Sequence, residues 1–201
     1  MCRLKKALYG LKQASRAWYS KIDSYLRRLG FTKSDVDSNL YFKVVENHPL
    51  ILVLYVDDLF LTSAEHQIAR CKREFMFEFK MKNLGLMHYF LGVEVWQRSD
   101  EIFLSQGKYT VDVLRRFGMM DCKSMDTPMV SNLKKLHETA SGTDPVDSTI
   151  YRQLIGSMLY LVHTRPDICF AVSALSRFML DPRHVHWVAA KLVLRYLHGR
   201  T

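Results

Sequence analysis

The feature that most constrains the fold is an acidic pair enclosed by two apolar runs. Residues 50–63 read Leu-Ile-Leu-Val-Leu-Tyr-Val-Asp-Asp-Leu-Phe-Leu-Thr-Ser, so Asp57 and Asp58 lie between two β-favouring segments. This pattern predicts a hairpin that bends at the two aspartates. Because adjacent carboxylates between apolar strands are costly to bury unless a cation meets them, the hairpin indicates a divalent-metal site. Mg²⁺ suits it, since this ion takes few protein oxygens and completes its shell with water and phosphate. A polar turn without chemistry is the alternative, because Asp is a common turn residue.

Size and composition are consistent with a globular protein and argue against several other classes. The chain has 201 residues, of which 48% are hydrophobic, enough for one domain or two small ones. No apolar run reaches the ~20 residues of a membrane span, and the first residues lack the apolar core of a signal peptide. We therefore expect an intracellular protein without a membrane partner. The four cysteines are far apart, which argues against a zinc site or a disulfide scaffold.

The net charge of +9 is concentrated near both ends of the chain. Between residues 3 and 28 there is one acid, Asp23, against the bases Arg3, Lys5, Lys6, Lys12, Arg16, Lys21, Arg27 and Arg28. Arg183, Lys191, Arg195 and Arg200 form a second group. Such clusters either contact phosphates or form a solvated helix face, and the charge alone leaves both interpretations open.

Apolar periodicity and turn residues divide the first 120 residues into helices and strands. The predicted helices cover 14–29, 64–79 and 108–117, and the predicted strands cover 40–45, 50–56, 59–62, 87–96 and 101–104. Residues 46–49 are expected to form a hairpin loop. In the second helix, Ile68, Cys71, Phe75 and Phe79 are expected to face the core.

The last third of the chain changes character. Residues 121–147 are rich in Ser, Thr, Asp and Pro and are expected to be a linker or a long loop. Amphipathic helices are predicted over 148–162, 167–180 and 182–198, with Asp181 and Pro182 as N-cap and first residue of the last one. The fold class is therefore α+β: a mixed body over residues 1–120, a linker over 121–147 and a helical unit over 148–201.

Several segments together resemble the reverse transcriptases of copia-type LTR retrotransposons. Tyr55-Val56-Asp57-Asp58 on a hairpin looks like their catalytic motif. Residues 8–19, which begin with Leu-Tyr-Gly-Leu-Lys-Gln, resemble the stretch under the incoming nucleotide and the template. Further similar segments lie at 79–85, 89–95, 104–109, 127–129, 151–157, 164–168 and 194–197. The resemblance covers essentially the whole chain. It implies a partial right-hand polymerase palm, an antiparallel sheet with packed helices, followed by a helical thumb and connection.

The resemblance also implies residue roles and partners. It makes Asp57 the main metal ligand and Asp58 the supporting carboxylate of two-metal nucleotidyl transfer with Mg²⁺ or Mn²⁺. The partners implied are an RNA/DNA primer–template and deoxynucleoside triphosphates. Lys12 and Gln13 would face the nucleotide, and the residues implied to contact the primer–template are Tyr55, Val56, Leu91 and Gly92.

Two departures from the family pattern limit what we expect of this chain by itself. Ser15 stands where the family usually has proline, and serine is tolerated there as an N-cap. The family's third metal-binding aspartate and its fingers lie upstream of the Leu-Tyr-Gly-Leu-Lys-Gln segment, and its ribonuclease H domain lies downstream of the matched region. No Asp or Glu precedes Asp23. We therefore expect weak or absent metal binding and no DNA synthesis by this polypeptide alone.

Two other functions were weighed against a polymerase segment. The first is a non-catalytic remnant that binds nucleic acid by charge. The second is a signalling receiver domain, which also binds Mg²⁺ through an acidic pair. The receiver is disfavoured because a second strand follows Asp58 directly, where a receiver has a loop and a helix.

Three smaller motifs are assigned to packing. His184 and His186 are not expected to ligate metal together, because helix positions i and i+2 do not share a face. Core packing is favoured over base stacking for the aromatic residues Phe75, Phe77, Phe79, Tyr89 and Phe90. Arg165-Pro166-Asp167 is interpreted as a helix start with proline in the first position.

Overall fold

The chain forms two compact units, Met1–Leu84 and Gly85–Thr201. The computed structural model describes residues 10–129, 136 and 142–200, and the predictions for residues 1–9 lie outside it. The boundary between these units lies within the mixed body expected over residues 1–120. The reason is that α3, Gly107–Arg116, contributes its buried Val113 and Leu114 to the helical core of the second unit.

The first unit is an antiparallel sheet packed against two helices. Its elements are α1 Ala14–Arg28, β1 Thr32–Lys33, β2 Leu40–Val45, β3 His48–Tyr55, β4 Asp58–Thr62 and α2 Glu65–Glu78. The strands are ordered β1-β2-β3-β4, and every neighbouring pair is antiparallel. The predicted α+β class is confirmed, and the antiparallel hairpin is unlike the strand–loop–helix order of a receiver domain.

Strand alternation defines the core of this unit. Leu50, Leu52 and Leu54 of β3 are buried because every second residue of a strand points to the same face. They belong to one apolar cluster with Ile22 and Leu26 of α1 and with Cys71 and Phe75 of α2. The sheet face that bears these leucines is therefore the one covered by the helices.

Two details of the first unit differ from the predictions. The hairpin loop is shorter than residues 46–49: Glu46 and Asn47 form the turn with φ of 52° and 65°, and His48 and Pro49 belong to β3. Two positive φ values make a type I′ turn, which suits the strand twist.

In α2, Gln67 is buried in place of the expected Ile68, because the Gln67 side-chain amide donates to the Val45 carbonyl at 2.7 Å.

The second unit combines a small sheet with a helical core. Its elements are β5 Tyr89–Phe90, β6 Val93–Gln97, β7 Ile102–Ser105, α3, α4 Ser148–Leu161, a 3₁₀ turn Pro166–Ile168, α5 Cys169–Ser176 and α6 His184–His198. The strands are ordered β5-β6-β7 and are antiparallel. Proline occupies the first position of the 3₁₀ turn, as predicted. α4 supplies much of the core through the fully buried residues Tyr151, Leu154, Ile155 and Met158.

Three boundaries in this unit were predicted wrongly. The single strand expected over 87–96 is divided by a turn at Leu91 and Gly92. The helix expected to reach residue 180 ends at Ser176. The last helix begins at His184 with Arg183 as its N-cap, rather than at Pro182.

The late start of α6 has a local cause. The Pro182 carbonyl accepts from the Val146 amide at 3.0 Å, and the His184 amide donates to the Asp144 carbonyl at 2.9 Å. These bonds hold residues 182–184 in an extended pairing, so the helix cannot form until that pairing ends. Asp181, the predicted N-cap, does not cap the helix. Its carboxylate accepts a hydrogen bond from the Arg183 guanidinium at 2.8 Å.

The aromatic and histidine predictions are confirmed in part. Phe75 and Phe79 are buried, but Phe77 is 94% exposed and Tyr89 is 57% exposed. Phe77 follows Phe75 by two positions, which places it on the outer face of α2.

His186 is a packing residue. It is buried, its ring stacks on Phe178 at 3.8 Å, and its Nδ1 accepts from the Arg183 amide at 3.0 Å. His184 is exposed, so the two rings do not share a site. In the described part of the chain, no helix is long and apolar enough to cross a membrane.

Candidate metal-binding hairpin

The hairpin of β3 and β4 turns one residue earlier than predicted. Tyr55 pairs directly with Asp58, so Val56 and Asp57 form the turn and Asp58 begins β4. Val56 has φ of 51°, and Asp57 is not in the left-handed region. A positive φ at the first turn position alone is typical of a type II′ turn, where glycine is usual. A β-branched residue is strained in this conformation.

Both carboxylates of the hairpin are open to a cation. Asp57 and Asp58 are exposed, and neither side chain forms a hydrogen bond or an ion pair within the described residues. Tyr55 and Val56 beside them are 41% and 70% exposed. Paired strands fix the two aspartates at the tip of a sheet, which is the support that a metal site needs.

α1 contacts this turn through Trp18. The Trp18 indole N–H donates to the Val56 carbonyl at 3.0 Å. Its ring meets Phe79 edge-on, with centroids 5.4 Å apart, and the Lys21 ammonium lies 5.0 Å from the same Phe79 ring. The sequence places Trp18 in a predicted helix and in the segment that resembles the stretch under the incoming nucleotide and template, but it does not predict this contact with the hairpin. The one available signal was that a partly buried indole N–H usually finds an acceptor.

A buried polar network fixes α1 against the sheet. The hydroxyl of the fully buried Tyr41 donates to Asp23 at 2.7 Å, and Arg27 and Lys33 approach the same carboxylate at 2.9 and 3.9 Å. Burial acts to raise the pKa of Asp23, but the hydrogen bonds from Tyr41 and Arg27 outweigh it, and the pKa is lowered overall. Burial, followed by the bonds to Tyr19 and Asp23, raises the pKa of Tyr41.

The two residues implied to face the nucleotide lie at the start of the same helix. Gln13 is the N-cap of α1, whereas Ser15, the expected N-cap, lies inside the helix. Lys12 precedes Gln13, and both are exposed. Lys12 and Arg16 form no ion pair or ring contact with the described residues, whereas Arg27 pairs with Asp23 and Arg28 lies over the Tyr25 ring. The structure thus places Lys12, Gln13 and the hairpin in one unit.

Leu91 and Gly92 form a second tight turn, in the other unit. Their φ values of 48° and 79° define a type I′ turn between β5 and β6. The Tyr160 hydroxyl donates to the Leu91 carbonyl, and a Cβ at Gly92 would clash with that hydroxyl. The Tyr160 ring packs edge-on against Tyr109 at 4.9 Å. Tyr160 was also missed by sequence reasoning.

The donor set fits part of a two-metal site. Among the described residues, no group of three or more His, Cys, Asp or Glu side chains could hold a metal ion. Two exposed carboxylates are nevertheless suitable ligands for Mg²⁺, which often binds through one or two carboxylates and the substrate phosphates. Asp57 and Asp58 are the residues that would hold it.

Comparisons with known proteins agree with the hairpin motif. The family of reverse transcriptase (RNA-dependent DNA polymerase) matches residues 1–131. The chain is 41% identical to the Retrovirus-related Pol polyprotein from transposon RE2 of Arabidopsis thaliana, over 99% of this chain and 14% of that protein. It is 40% identical to the polyprotein from transposon RE1 of the same plant, again over 99% of this chain and 14% of the relative.

A further relative comes from another plant. The Retrovirus-related Pol polyprotein from transposon TNT 1-94 of Nicotiana tabacum is 40% identical over 100% of this chain and 16% of its own length. The chain therefore spans a small part of the relatives that it matches. No solved structure gives a significant match. Since the family match covers more than half of the chain and the relatives cover nearly all of it, the chain belongs to the reverse transcriptase family in its copia-type form.

Proposed function

We propose that the chain supplies the metal-binding hairpin of an RNA-directed DNA polymerase within a longer Pol polyprotein. The observation that carries this proposal is the pair of exposed carboxylates, Asp57 and Asp58, without ion pairs in the described residues and fixed at a strand turn. The substrates are deoxynucleoside triphosphates and an RNA/DNA primer–template.

Each residue has a proposed role. Asp57 and Asp58 hold Mg²⁺ or Mn²⁺. When bound, two such ions supply the charge that stabilises the attacking and leaving oxygens of the displacement. Lys12 and Gln13 face the incoming nucleotide from the start of α1. The proposed contacts to the primer–template are Tyr55, Val56, Leu91 and Gly92.

The segments have corresponding assignments. Residues 1–120 form palm and the beginning of the thumb, 121–147 a linker, and 148–201 the connection. The match of the reverse transcriptase family to residues 1–131 supports the assignment of the first of these segments.

Polymerisation also requires a carboxylate that the hairpin lacks. Asp23 cannot serve, because Tyr41, Arg27 and Lys33 already occupy its carboxylate. We propose that another part of the polyprotein contributes the third ligand. The 201-residue chain alone then binds metal weakly and does not extend a primer.

Primer extension on an RNA template tests the proposal. The chain is inserted in place of the matched segment of the RE2 polyprotein, and Asp57→Asn is compared with Asp35→Asn, an exposed aspartate in a loop of the same unit. The chimera is expected to synthesise DNA with Mg²⁺. Asp57→Asn should lower the rate at least about a hundredfold, because metal ligation contributes several kcal/mol to the barrier.

Two results would contradict the proposal. One is an active chimera in which Asp57→Asn retains the wild-type rate. The other is Mg²⁺-dependent incorporation by the 201-residue chain alone, which would refute the need for a further carboxylate.

A non-catalytic nucleic-acid-binding role is the second candidate. It is favoured by the exposed Lys12 and Arg16, whose charges no described acid neutralises. Binding of the chain to an RNA–DNA duplex should weaken steeply as salt rises, and Lys12→Gln should reduce that dependence. An inactive chimera together with such binding would support this candidate over the polymerase.

A further inference from the structure

The strained hairpin turn needs support from outside the hairpin. Val56 occupies the left-handed region at φ 51°, although its branched side chain disfavours that region. Val56 and the two aspartates after it are exposed, so their own side chains provide little packing to hold the turn. A strained, exposed turn keeps one conformation only when neighbouring groups over-determine it.

Trp18 provides that support at a specific atom. Its indole N–H donates to the carbonyl oxygen of Val56 at 3.0 Å. That carbonyl belongs to the planar peptide group whose nitrogen is the Asp57 amide. Fixing the oxygen therefore fixes the plane from which the Asp57 side chain departs.

The indole is itself held in place by an aromatic contact. Its ring packs edge-on against Phe79, and Phe79 in turn meets Tyr25 edge-on at a centroid distance of 5.1 Å. Trp18 and Tyr25 lie on α1, and Phe79 is the C-cap of α2. The donor is thus anchored to both helices that cover the sheet.

We propose that Trp18 is a positioning residue for the Asp57–Asp58 metal site. It acts through the Val56 carbonyl and does not touch the metal or the substrate. This inference rests on the proposed function for its biological meaning, but the positioning itself is a property of the metal-free chain. It also gives α1, the helix whose N-cap is Gln13, a direct link to the proposed metal-binding turn.

The competing explanation is that Trp18 only packs against Phe79. The two explanations differ in the role of a single N–H group. Replacing Trp18 with benzothienylalanine keeps the size of the ring and removes that donor. Tyr25→Phe is the matched control, because it removes another bond from an aromatic side chain of α1 to a backbone carbonyl, that of Glu74 at 3.0 Å.

The test uses the full 201-residue chain labelled with ¹⁵N. Without metal, the benzothienylalanine variant should shift the amide signals of Asp57 and Asp58 and leave those of β2 unchanged. The Mn²⁺ concentration that half-broadens the hairpin signals should rise about fivefold, the factor that corresponds to one neutral hydrogen bond. Tyr25→Phe should leave both readouts at their wild-type values.

Each remaining outcome counts against a defined claim. Unchanged Asp57 and Asp58 signals in the benzothienylalanine variant would overturn the inference, as would an equal effect of Tyr25→Phe. If Mn²⁺ does not broaden the wild-type hairpin at all, the metal site of the proposed function fails. The Asp58 amide shift then decides whether Trp18 positions the turn, because the Asp57 amide belongs to the peptide group that loses the hydrogen bond.

Discussion

Tyr41→Phe tests how α1 is fixed against the sheet that carries the hairpin. The substitution removes one hydroxyl from a fully buried side chain and leaves the ring in place. The lost hydroxyl donates to Asp23 at 2.7 Å and lies 3.3 Å from the Tyr19 hydroxyl. The first contact is short and involves a carboxylate, so it should dominate the cost.

The magnitude follows from the charge on the acceptor. A hydrogen bond to a charged group contributes about 1.5–3 kcal/mol to stability. In the variant, the Asp23 carboxylate still forms its ion pair with Arg27 at 2.9 Å, and the Asp23 side chain is 20% exposed. The substitution therefore does not leave a buried carboxylate without a partner. We therefore expect a loss near the lower limit, about 1.5 kcal/mol in the free energy of unfolding of the first unit. Tyr19→Phe removes a bond to the Ser38 carbonyl at an exposed position and the longer contact with the Tyr41 hydroxyl, and it should cost about 0.5 kcal/mol.

The same network predicts a pH dependence. The pKa of Asp23 is lowered in the folded chain, so its ionised form stabilises the first unit above the pKa of the unfolded state, about 3.9. That contribution is lost as the pH falls through the folded pKa. The difference between wild type and Tyr41→Phe should therefore shrink below about pH 4.

Urea unfolding measures these differences. With Trp96→Phe and Trp187→Phe as background, Trp18 fluorescence reports the first unit alone. A Tyr41→Phe variant as stable as the background, or one less perturbed than Tyr19→Phe, would refute the reasoning. A difference that grows below pH 4 would refute the assignment to Asp23.

Three further predictions concern other parts of the chain. Gly92→Ala should destabilise the second unit by more than about 1 kcal/mol in urea, because of its φ of 79° and the clash with the Tyr160 hydroxyl. Asp167→Asn should cost that unit about 1 kcal/mol in the free energy of unfolding, because the carboxylate accepts hydrogen bonds from Arg165 and is only partly buried. Those hydrogen bonds lower the pKa of Asp167, so the cost should shrink as the pH falls below about 4 and through the lowered pKa. Iodoacetamide at pH 8 should alkylate the exposed Cys169 but not Cys71, whose thiol pKa is raised by burial to about 11.

Each of these has a defined contrary result. Gly142→Ala is the control for Gly92→Ala, since a Cβ there meets nothing within 4 Å, and equal effects of the two would exclude the clash. A penalty for Asp167→Asn that does not shrink as the pH falls below about 4 would show that the charge of Asp167 is not the cause. Labelling of Cys71 at the rate of Cys169 would mean that α2 opens readily from the sheet.

Periodicity was enough to predict most elements of the fold. The alternation in β3 and the helical spacing in α1 each reflect one buried face, which is a property of the local sequence. The first and last residues of the helices were less predictable, because they depend on hydrogen bonds with backbone groups that are distant in the sequence. The start of α6 depends on pairing of residues 182–184 with 144–146, which no pattern within the helix reveals.

The candidate site also has features that the sequence predicts and features that it does not. Asp57 and Asp58 could be read from the sequence, because two acids between apolar strands are an unusual pattern. The turn position could not, since a valine at φ 51° contradicts its own preference. The hydrogen bond from Trp18 to the turn was also hidden, because its acceptor lies 38 residues away in the chain.

The most direct test of the central claim is a map of Mn²⁺ broadening on the ¹⁵N-labelled 201-residue chain. The hairpin account predicts that the first amide signals to broaden belong to residues 55–60. It also predicts that Asp57→Asn abolishes this broadening, whereas Asp35→Asn leaves it unchanged. Broadening centred elsewhere, or unaltered in Asp57→Asn, would contradict the assignment of Asp57 and Asp58 as metal ligands.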